Sequence, residues 1–371
     1  MSGNPVREHI ATYQSQLAEG INASLAEHVH ILLNSNTERE REFLTPATAL
    51  LQGGKRTRAI MLVAGAEVAH SEAPQEHYDW PIKAGVAIEL YQASALIHDD
   101  LIDGAETRRG ILATHRQFEA THAHAGLHGE ASAFGEKAAL LLGDFLLSLA
   151  SITMQSAEHR DSPALNRAMR IFHEMTFEVA YGQYLDMRAE FTPLGDPYDD
   201  YERDVRAAFE VLTHKSARYS VELPARIGAE LYGASRSTIE MMANVTRPLG
   251  EAFQLRDDDL GVFGDARTTG KPVGGDISEG KRTVLLALTR KLATASDRAY
   301  VDQSLGHPIS STDLERIQSI IEDSGARAEH NAIIAQRERA ARDALAKLET
   351  TLGTRCEVLD ETIEMLTNRK S

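Results

Sequence analysis

Apolar residues recur three or four positions apart along most of this chain, the spacing that puts them on one buried face of a helix. Clusters of glycine and proline separate these stretches from one another. We predict helices over residues 6–51, 55–70, 82–103, 136–157 and 197–231, and another from residue 235 to an acidic cluster at 257–259. Ser162-Pro163 marks the start of a further long helix, because Ser caps helices and Pro suits the first turn. Three or four more helices are predicted between residues 281 and 369.

The segments between these helices are predicted to be irregular. Residues 104–135 contain several glycines and are expected to be loosely structured, and residues 264–280 form a Gly-rich loop. No stretch shows the alternation or the Val/Ile/Thr density of a strand, and no Pro/Ser-rich linker divides the chain. We therefore predict a single all-α domain over residues 1–371, with its motifs between about residues 50 and 290.

Two acidic clusters, at residues 98–103 and 256–259, end apolar helical stretches. Packed carboxylates repel each other and lose hydration, so they need a strong positive charge between them. Asp99 and Asp103 are four residues apart and lie on one helix face. Ligation by carboxylates alone suits Mg²⁺ or Mn²⁺ that shares its shell with substrate phosphates. A solvated helix end would explain one isolated pair, but two clusters with nearby cations favour metal bound to polyphosphate.

Basic residues accompany both clusters. The segment Gly53-Gly54-Lys55-Arg56-Thr57-Arg58 places glycines before a predicted helix and puts Lys55 and Arg58 on one face, which favours diphosphate binding at a helix N-terminus. Arg108-Arg109-Gly110 follows the first cluster, and guanidinium groups bind phosphate oxygens bidentately. Lys271 and Lys281 lie in or beside the Gly-rich loop, where they are placed to close over an anion.

Other polar residues are given no functional role at this point. His122, His124 and His128 lie in the segment predicted to be least regular and have no obvious carboxylate partners, so a metal site is not predicted there. Asp144 and Asp186 fall within predicted helices and are interpreted as ordinary polar residues. Because the sequence has no Gly-x-Ser-x-Gly elbow, Walker loop or dinucleotide fingerprint, a reaction through a protein nucleophile is disfavoured.

Composition narrows the partners and the compartment. A net charge of -16 makes nucleic acid and anionic membranes unexpected partners, and 42% hydrophobic residues with only 6% aromatics favour a helical core. Cys356 is the only cysteine, which excludes a disulfide framework and fits a reducing compartment. The N-terminal residues lack the apolar core of a signal peptide, and the apolar run 138–152 is too short to span a bilayer. We expect a soluble cytoplasmic protein.

From about Leu50 to Leu288 the chain resembles the trans-isoprenyl diphosphate synthases, a polyprenyl synthetase family, and is most similar to the short-chain geranylgeranyl diphosphate synthases. The motifs that carry the resemblance are, in order, Gly53 to Arg58, Asp99-Asp100-x-x-Asp103, Arg108-Arg109-Gly110, Phe253-Gln254-Leu255-Arg256-Asp257-Asp258 and Thr269-Gly270-Lys271-Pro272. The resemblance implies the isoprenoid synthase fold, in which antiparallel helices surround a central cavity. It also implies a homodimer.

The resemblance assigns roles to residues of this chain. It implies three Mg²⁺ ions, with Mn²⁺ as an alternative, held between two facing helices by Asp99, Asp103 and Asp257 with Asp100 close by. Isopentenyl diphosphate is expected at Gly54, Lys55, Arg58, Gln92 and Arg109. At the position of Gln92 the family often has His. The allylic diphosphate is expected at Arg108, Lys215 and Lys271 with the assistance of Lys281, and Gln254 is a further substrate-binding residue. Lys215 and Lys271 count as catalytic together with Asp99, Asp103 and Asp257.

One departure from the family pattern concerns the second acidic motif. Gly261 stands where the last carboxylate of an Asp-Asp-x-x-Asp motif would be. Asp257 is still expected to bind metal. Whether Asp258, Asp259 or Asp265 contacts it is left open.

The implied chemistry is a condensation. Metal and cations stabilise the departing diphosphate, the allylic C–O bond ionises, and the carbocation is attacked by the double bond of isopentenyl diphosphate. The released pyrophosphate takes the final proton. The alternatives are a farnesyl or longer polyprenyl synthase, a class I terpene cyclase, against which Lys55, Arg58 and Arg109 argue, and a non-catalytic partner subunit, against which the intact acidic clusters argue.

Product length is expected to depend on the helix that leads into Asp99. Ser94 and Ala95 are small, where family members that stop at fifteen carbons or fewer often carry an aromatic residue. Tyr91 is two turns before Asp99, ~12 Å along the helix, and would form the floor of the cavity. This pattern favours geranylgeranyl diphosphate as the product.

Overall fold

The computed structural model describes residues 5–29, 37–73, 80–157, 162–195, 199–264 and 273–367, and these are almost entirely helical. A π-helix, Leu212–Glu222, joins α8 to α9. The α-helices are α1 Pro5–Val29, α2 Thr37–Leu51, α3 Thr57–Glu72, α4 Ile82–Ile102, α5 Thr114–Ala125, α6 Ala131–Gln155, α7 Pro163–Glu190, α8 Tyr201–Val211, α9 Leu223–Leu231, α10 Arg236–Phe263, α11 Gly275–Ser278, α12 Val284–Leu292, α13 Ala295–Ser304, α14 Ser311–Asp323, α15 Ala326–Leu352 and α16 Glu357–Thr367.

The all-α prediction is confirmed, and several element boundaries need correction. The helix predicted over 82–103 and the helix start at Ser162-Pro163 are confirmed by α4 and α7. The segment 104–135 is not loose, because it contains α5 and the start of α6. The helix α10 does not end at the second acidic cluster but continues to Phe263, and five helices rather than three or four follow residue 281.

Among the described residues, strand is present in one place, contrary to the prediction. Strands β1 (Thr107–Arg108) and β2 (Ile111–Leu112) pair antiparallel, with Thr107 opposite Leu112. The turn between them contains Arg109 with φ 54° and Gly110 with φ 78°. Two-residue strands are too short to produce an alternating pattern in the sequence.

The chain forms two compact units. Unit 1 comprises Met1–Ile171, Pro224–Ser235 and Glu357–Glu361, and unit 2 comprises Phe172–Leu223, Arg236–Cys356 and Thr362–Ser371, within the described ranges. The helix α7 contributes residues to both units. That the chain is a single domain stays a prediction.

Unit 1 is built around α4, which packs most extensively against α6 and also contacts α1 and α3. Glycines allow the close approaches. A Cβ at Gly85 would collide with Tyr13 of α1, and a Cβ at Gly143 would collide with the ring of His98. Gly65 on α3 and Gly228 on α9 each lie against the other helix's backbone, so neither position has room for a methyl group.

Unit 2 is built around α10, which packs against α15 and the π-helix. Unit 2 also contains a buried ion cluster around Arg290. The guanidinium nitrogens of Arg290 donate to Asp199, Asp204 and Asp302 over 2.6 to 2.7 Å. This arginine is 3% exposed, and its three partners satisfy its charge and its donors. The contact fixes the start of α8 against α12 and α13.

The helix α6 is, by length and composition, capable of crossing a membrane. It packs against α4 and α5 in unit 1, and 44% of its most apolar window is buried there. Core helices of soluble proteins have the same properties, so this feature is weak support for a membrane span.

Candidate active site

The first acidic cluster lies at the C-terminal end of α4 in unit 1. Asp99 and Asp100 are the last-turn residues, and Asp103 is the C-cap, with its backbone N–H donating to the carbonyl of Asp99 over 2.8 Å. Arg108 of β1 donates from Nη2 to Asp99 Oδ2 over 2.9 Å and from Nε to Asp100 Oδ1 over 2.7 Å. Burial lowers the pKa of Arg108, but its bonds to Asp100 and the charge of Asp99 outweigh burial and raise it. The hairpin therefore supplies the counterion of this cluster.

Arg109, the next residue, lies over the two glycines of the first motif. Its Nη1 donates to the carbonyls of Leu50 and Gly53, each over 2.9 Å. A Cβ at Gly54, whose φ is 107°, would lie 2.9 Å from Arg109 Nη2. Position 54 therefore requires glycine both for its backbone angle and for the guanidinium that lies against it.

Several arginines surround Arg109. Burial lowers the pKa of Arg109, the charges of Arg56, Arg58 and Arg108 lower it further, and Glu89 opposes the shift. Because the guanidinium groups repel one another, this group is electrostatically suited to bind a polyanion. Arg56 is the exception, since it is buried and donates from Nη1 to Glu89 over 2.8 Å.

The predicted geometry of Lys55 and Arg58 needs correction. The helix α3 begins at Thr57, and Arg56 precedes it in a left-handed conformation with φ 56°. Lys55 therefore lies outside the helix and does not share a helix face with Arg58. The strained backbone at Arg56 buries its side chain on Glu89 and sets the direction of the segment that carries Lys55.

The second acidic cluster lies within α10 in unit 2. Asp258 is buried, with 7% of its surface exposed, and accepts a hydrogen bond of 3.0 Å from Nε2 of Gln254, one turn earlier. Burial, then the charges of Asp276, Asp257 and Asp186, raise the pKa of Asp258 well above its ordinary value. Burial and these neighbouring carboxylates therefore disfavour the ionised form of Asp258.

Asp259 belongs to a different environment. Its two carboxylate oxygens accept hydrogen bonds of 2.9 and 3.2 Å from the guanidinium of Arg327 on α15. The sequence left open whether Asp258, Asp259 or Asp265 contacts the metal. For Asp259 the structure shows a cation partner within the protein, Arg327. Asp265 lies outside the described residues.

Asp186 is a residue whose importance the sequence did not indicate. Its Oδ2 accepts from Lys215 Nζ over 2.5 Å and lies 3.7 Å from Lys281 Nζ. Two lysines from separate elements thus share one carboxylate that is only 6% exposed. A Cβ at Gly182, one turn before Asp186, would collide with the backbone of Lys215, so this glycine allows α7 to lie directly against the π-helix.

Lys271 and its motif, Thr269 to Pro272, lie outside the described residues. Gln92 is buried on α4. Among the chain-length candidates, Tyr91 is 5% exposed, and Ser94 donates from its hydroxyl to the Gly143 carbonyl over 2.8 Å. Ser94 therefore faces α6, while Ala95 is half-buried.

The histidines of α5 have a structural explanation. His122 is buried and lies 3.2 Å from the carbonyl of His128 through Nε2. Its ring also packs on Phe134 with centroids 5.3 Å apart.

Neither acidic cluster forms a complete metal site from protein groups alone. Among the described residues, no group of three or more His, Cys, Asp or Glu side chains is arranged to hold a metal ion. The donor set nevertheless fits a hard divalent cation. Asp99 and Asp103 provide carboxylates one turn apart, and Asp257 is one of the carboxylates whose charge raises the pKa of Asp258, so phosphate oxygens and water would complete the shell.

The fold and these residues define a helical enzyme class, the prenyltransferases. The chain belongs to the polyprenyl synthetase family, whose model matches residues 40–323. This confirms the family resemblance and the prenyl-chain condensation that it implied.

Curated relatives and a solved structure agree with this assignment. The chain is 33% identical over 299 residues to the geranylfarnesyl diphosphate synthase of Aeropyrum pernix, covering 80% of this chain and 78% of that protein. It is 29% identical to the geranylgeranyl diphosphate synthase of Sulfolobus acidocaldarius, covering 70% of each. The crystal structure of geranylgeranyl pyrophosphate synthase from Corynebacterium glutamicum, complexed with isoprenyl diphosphate and magnesium, superimposes with a TM-score of 0.86 at 30% identity, covering 96% of this chain and 99% of that one.

Proposed function

We propose that this protein condenses isopentenyl diphosphate with dimethylallyl, geranyl or farnesyl diphosphate, in a Mg²⁺-dependent reaction whose product is geranylgeranyl diphosphate. One observation carries the proposal: each unit has its own cations for a diphosphate. Unit 1 has the arginines around Arg109, and unit 2 has Lys215 and Lys281 on Asp186. Two sets of cations support two diphosphate substrates, whereas a terpene cyclase binds only one.

In unit 1, Lys55, Arg58 and Arg109 bind isopentenyl diphosphate, and Gln92 lies on the neighbouring helix α4. Arg109 stays protonated even with a lowered pKa, because an arginine titrates far above neutral pH. Gly54 contributes by leaving room for the Arg109 guanidinium. These residues hold the nucleophilic substrate and do not need to move a proton.

We assign Lys215 and Lys281 to the allylic diphosphate, and the family resemblance adds Arg108 and Lys271. Asp186 orients the two lysines and offsets their charge until a diphosphate binds. As the allylic C–O bond breaks, negative charge accumulates on the diphosphate, and preorganised cations stabilise it at that moment. The double bond of isopentenyl diphosphate then forms the new C–C bond, and the released pyrophosphate takes the proton.

Asp99, Asp103 and Asp257 would hold three Mg²⁺ ions, with Asp100 close by. When bound, Mg²⁺ neutralises the diphosphate and makes it a better leaving group. The protein's own part is to orient these carboxylates: Arg108 of β1 holds Asp99 at the end of α4, and Asp257 lies on α10 beside the buried Asp258.

The experiment is to incubate the purified protein with Mg²⁺, isopentenyl diphosphate and each allylic diphosphate in turn, and to measure product length by mass spectrometry. We expect a dominant twenty-carbon diphosphate. A fifteen-carbon or much longer product would keep the reaction and refute the proposed length. No condensation with any allylic substrate would refute the reaction and favour a cyclase or a non-catalytic subunit.

Product length is tested at Tyr91, which is buried on α4 two turns before Asp99. If Tyr91 is the floor of the product cavity, Tyr91→Ala gives products longer than those of the wild type. Ser94→Ala is the matched control, because the Ser94 hydroxyl faces α6. An unchanged product profile for Tyr91→Ala would exclude the floor.

We further propose a cytoplasmic homodimer whose contact includes α6. Leu140, Leu141 and Ile152 on this helix are 47%, 60% and 48% exposed, which supports a covered apolar face. Sedimentation of the wild type at the mass of two chains, and of Leu141→Glu at the mass of one, is the expected result. A wild-type protein that sediments as one chain would refute the dimer. The single buried Cys356 supports a reducing compartment.

A further inference from the structure

A buried ion pair in unit 1 ties the first basic motif to α4. Glu89 of α4 is 4% exposed and accepts a hydrogen bond of 2.8 Å from Nη1 of Arg56. Nη2 of Arg56 donates to the carbonyl of Leu51 at the end of α2. Separating a buried carboxylate from a buried guanidinium leaves both charges uncompensated, which is strongly unfavourable. The pair therefore fixes Arg56 against α4.

The backbone beside this ion pair is strained. Among the described residues, Arg56 and Arg109 are the two non-glycine residues with a left-handed backbone, at φ 56° and φ 54°. Such a conformation is unfavourable for arginine and persists only where surrounding contacts hold it. At Arg56 the contact is the bond to Glu89, and at the preceding residue Gln14 of α1 donates to the carbonyl of Lys55 over 3.0 Å. These contacts set the direction in which the chain carries Lys55.

The charge of Glu89 also acts on Arg109. Burial and the charges of Arg56, Arg58 and Arg108 lower the pKa of Arg109, and the charge of Glu89 opposes them. Arg109 in turn donates to two carbonyls at the start of the first basic motif. One buried carboxylate is thus bonded to one arginine of this group and stabilises the charge of another.

We infer that Glu89 is a positioning residue for isopentenyl diphosphate, which holds Arg56 and Arg109 in the arrangement that the substrate requires. The inference rests on the proposed function, because it takes Lys55, Arg58 and Arg109 to bind this diphosphate. The sign of the effect is informative. If Glu89 contributed only charge, its removal would make the site more positive and strengthen anion binding. If Glu89 positions the cations, its removal weakens binding.

The test is Glu89→Gln, which is nearly isosteric and removes the charge. The KM for isopentenyl diphosphate is expected to rise ~10-fold, because the cations lose their arrangement. The KM for farnesyl diphosphate and kcat should stay within about twofold of the wild type, since only binding of the other substrate is weakened. Calorimetric titration with isopentenyl diphosphate should show the same loss of affinity. Glu89→Asp keeps the charge on a shorter side chain and should give an intermediate KM.

A double variant tests whether Glu89 acts through Arg56. In Arg56→Gln/Glu89→Gln the KM for isopentenyl diphosphate should lie within about twofold of the more affected single variant, because residues that act as one unit are not additive. Additive effects of the two substitutions would overturn this route.

Glu230→Gln is the matched control, since Glu230 on α9 is also buried and accepts from Nε of Arg167 over 2.8 Å. Its KM for isopentenyl diphosphate should equal that of the wild type. Thermal unfolding of each variant identifies loss of fold, and if Glu89→Gln does not fold, Glu89→Asp decides. An unchanged or lower KM for isopentenyl diphosphate, or an equal rise for both substrates, would overturn the inference. A wild type that neither binds isopentenyl diphosphate nor condenses it would instead refute the proposed function, and the inference with it.

Discussion

The acidic clusters on α4 and α10 have similar sequences and different electrostatics. On α4, Arg108 donates to Asp99 and Asp100 and offsets part of their charge. On α10, Asp258 is buried among other carboxylates, and its pKa is raised well above the ordinary value. The first cluster therefore has a counterion within the fold, whereas burial and neighbouring carboxylates disfavour ionisation of Asp258 in the second.

The difference indicates how two similar motifs divide one task. A carboxylate held by an arginine is kept ionised and fixed in orientation before any ligand binds. A buried carboxylate with an excess of negative neighbours gains more from a cation, because the bound cation also removes the repulsion between them. We therefore expect the cluster on α10 to respond more strongly to divalent cation than the cluster on α4.

The largest effect is expected from Arg108→Gln, which removes the counterion from α4. Asp100 is 1% exposed and would be left buried without its guanidinium partner, so the free energy of unfolding should fall by about 3 kcal/mol. Condensation should slow ~100-fold or more, because a cation at the diphosphate is also lost. Urea unfolding and the initial rate of condensation measure the two effects.

Arg116→Gln is the control for this variant. Arg116 pairs with Glu106 and Glu119 on the surface of the same unit, and such pairs contribute little. If Arg108→Gln were as stable as Arg116→Gln, the cluster on α4 would not depend on its internal cation, and the contrast with α10 would disappear.

A second effect, of similar size, is expected from a buried histidine that packs beside α10. His330 on α15 is fully buried, and both ring nitrogens lack a hydrogen-bond partner among the described residues. Burial lowers the pKa of His330 to about 4, against an opposing effect of Asp259. Because the unfolded chain binds this proton near pH 6.5 and the folded chain does not, stability is full above pH 6.5 and is lost as the pH falls toward 4.

The loss amounts to about 3 kcal/mol over that range. His330→Leu should flatten the pH dependence of the unfolding free energy between pH 7 and pH 4.5, measured by urea unfolding at several pH values. His122→Leu in unit 1 serves as the comparison. Equal pH dependence in the wild type and in His330→Leu would mean that acid sensitivity does not originate beside α10.

The smallest and most discriminating effect is a difference of sign between two aspartates. Asp100→Asn removes a carboxylate that Arg108 balances, so it should lower the melting temperature in the absence of divalent cation. Asp258→Asn replaces a carboxyl group whose ionised form is disfavoured by burial and by its acidic neighbours, so it should raise the melting temperature. Each substitution is expected to change the free energy of unfolding by about 1 to 2 kcal/mol. Differential scanning calorimetry in the presence of a chelator measures both, and shifts of the same sign would contradict the contrast.

Part of the candidate site could be predicted from local spacing. Asp99 and Asp103 follow from the helical repeat, and the all-α fold follows from apolar periodicity. The start of α3 could not be placed, because Arg56 adopts a left-handed conformation that its residue type does not favour and that its buried bond to Glu89 stabilises. The helix α5 was not predicted, because the glycines at its borders made this short segment look irregular.

Contacts between distant parts of the chain were beyond the sequence. Asp186 and Lys215 are 29 residues apart, and nothing in the pattern of α7 distinguishes Asp186 from an ordinary polar residue. Asp276 likewise gives no local signal that its carboxylate lies against the backbone of Gly261. In both cases the partner is set by how helices pack, and helix periodicity carries no information about it.

The π-helix that carries Lys215 makes this segment sensitive to the number of residues in it. In a π-helix each N–H bonds to the carbonyl five residues back, so a turn contains more residues than the 3.6 of an α-helix. Deleting one residue between Leu212 and Lys215 would let the segment close into a regular α-helix without breaking the chain's helical path. Lys215 would then rotate away from Asp186 while the fold survived. Chain length in this segment, rather than the choice of amino acid alone, sets the direction of the lysine.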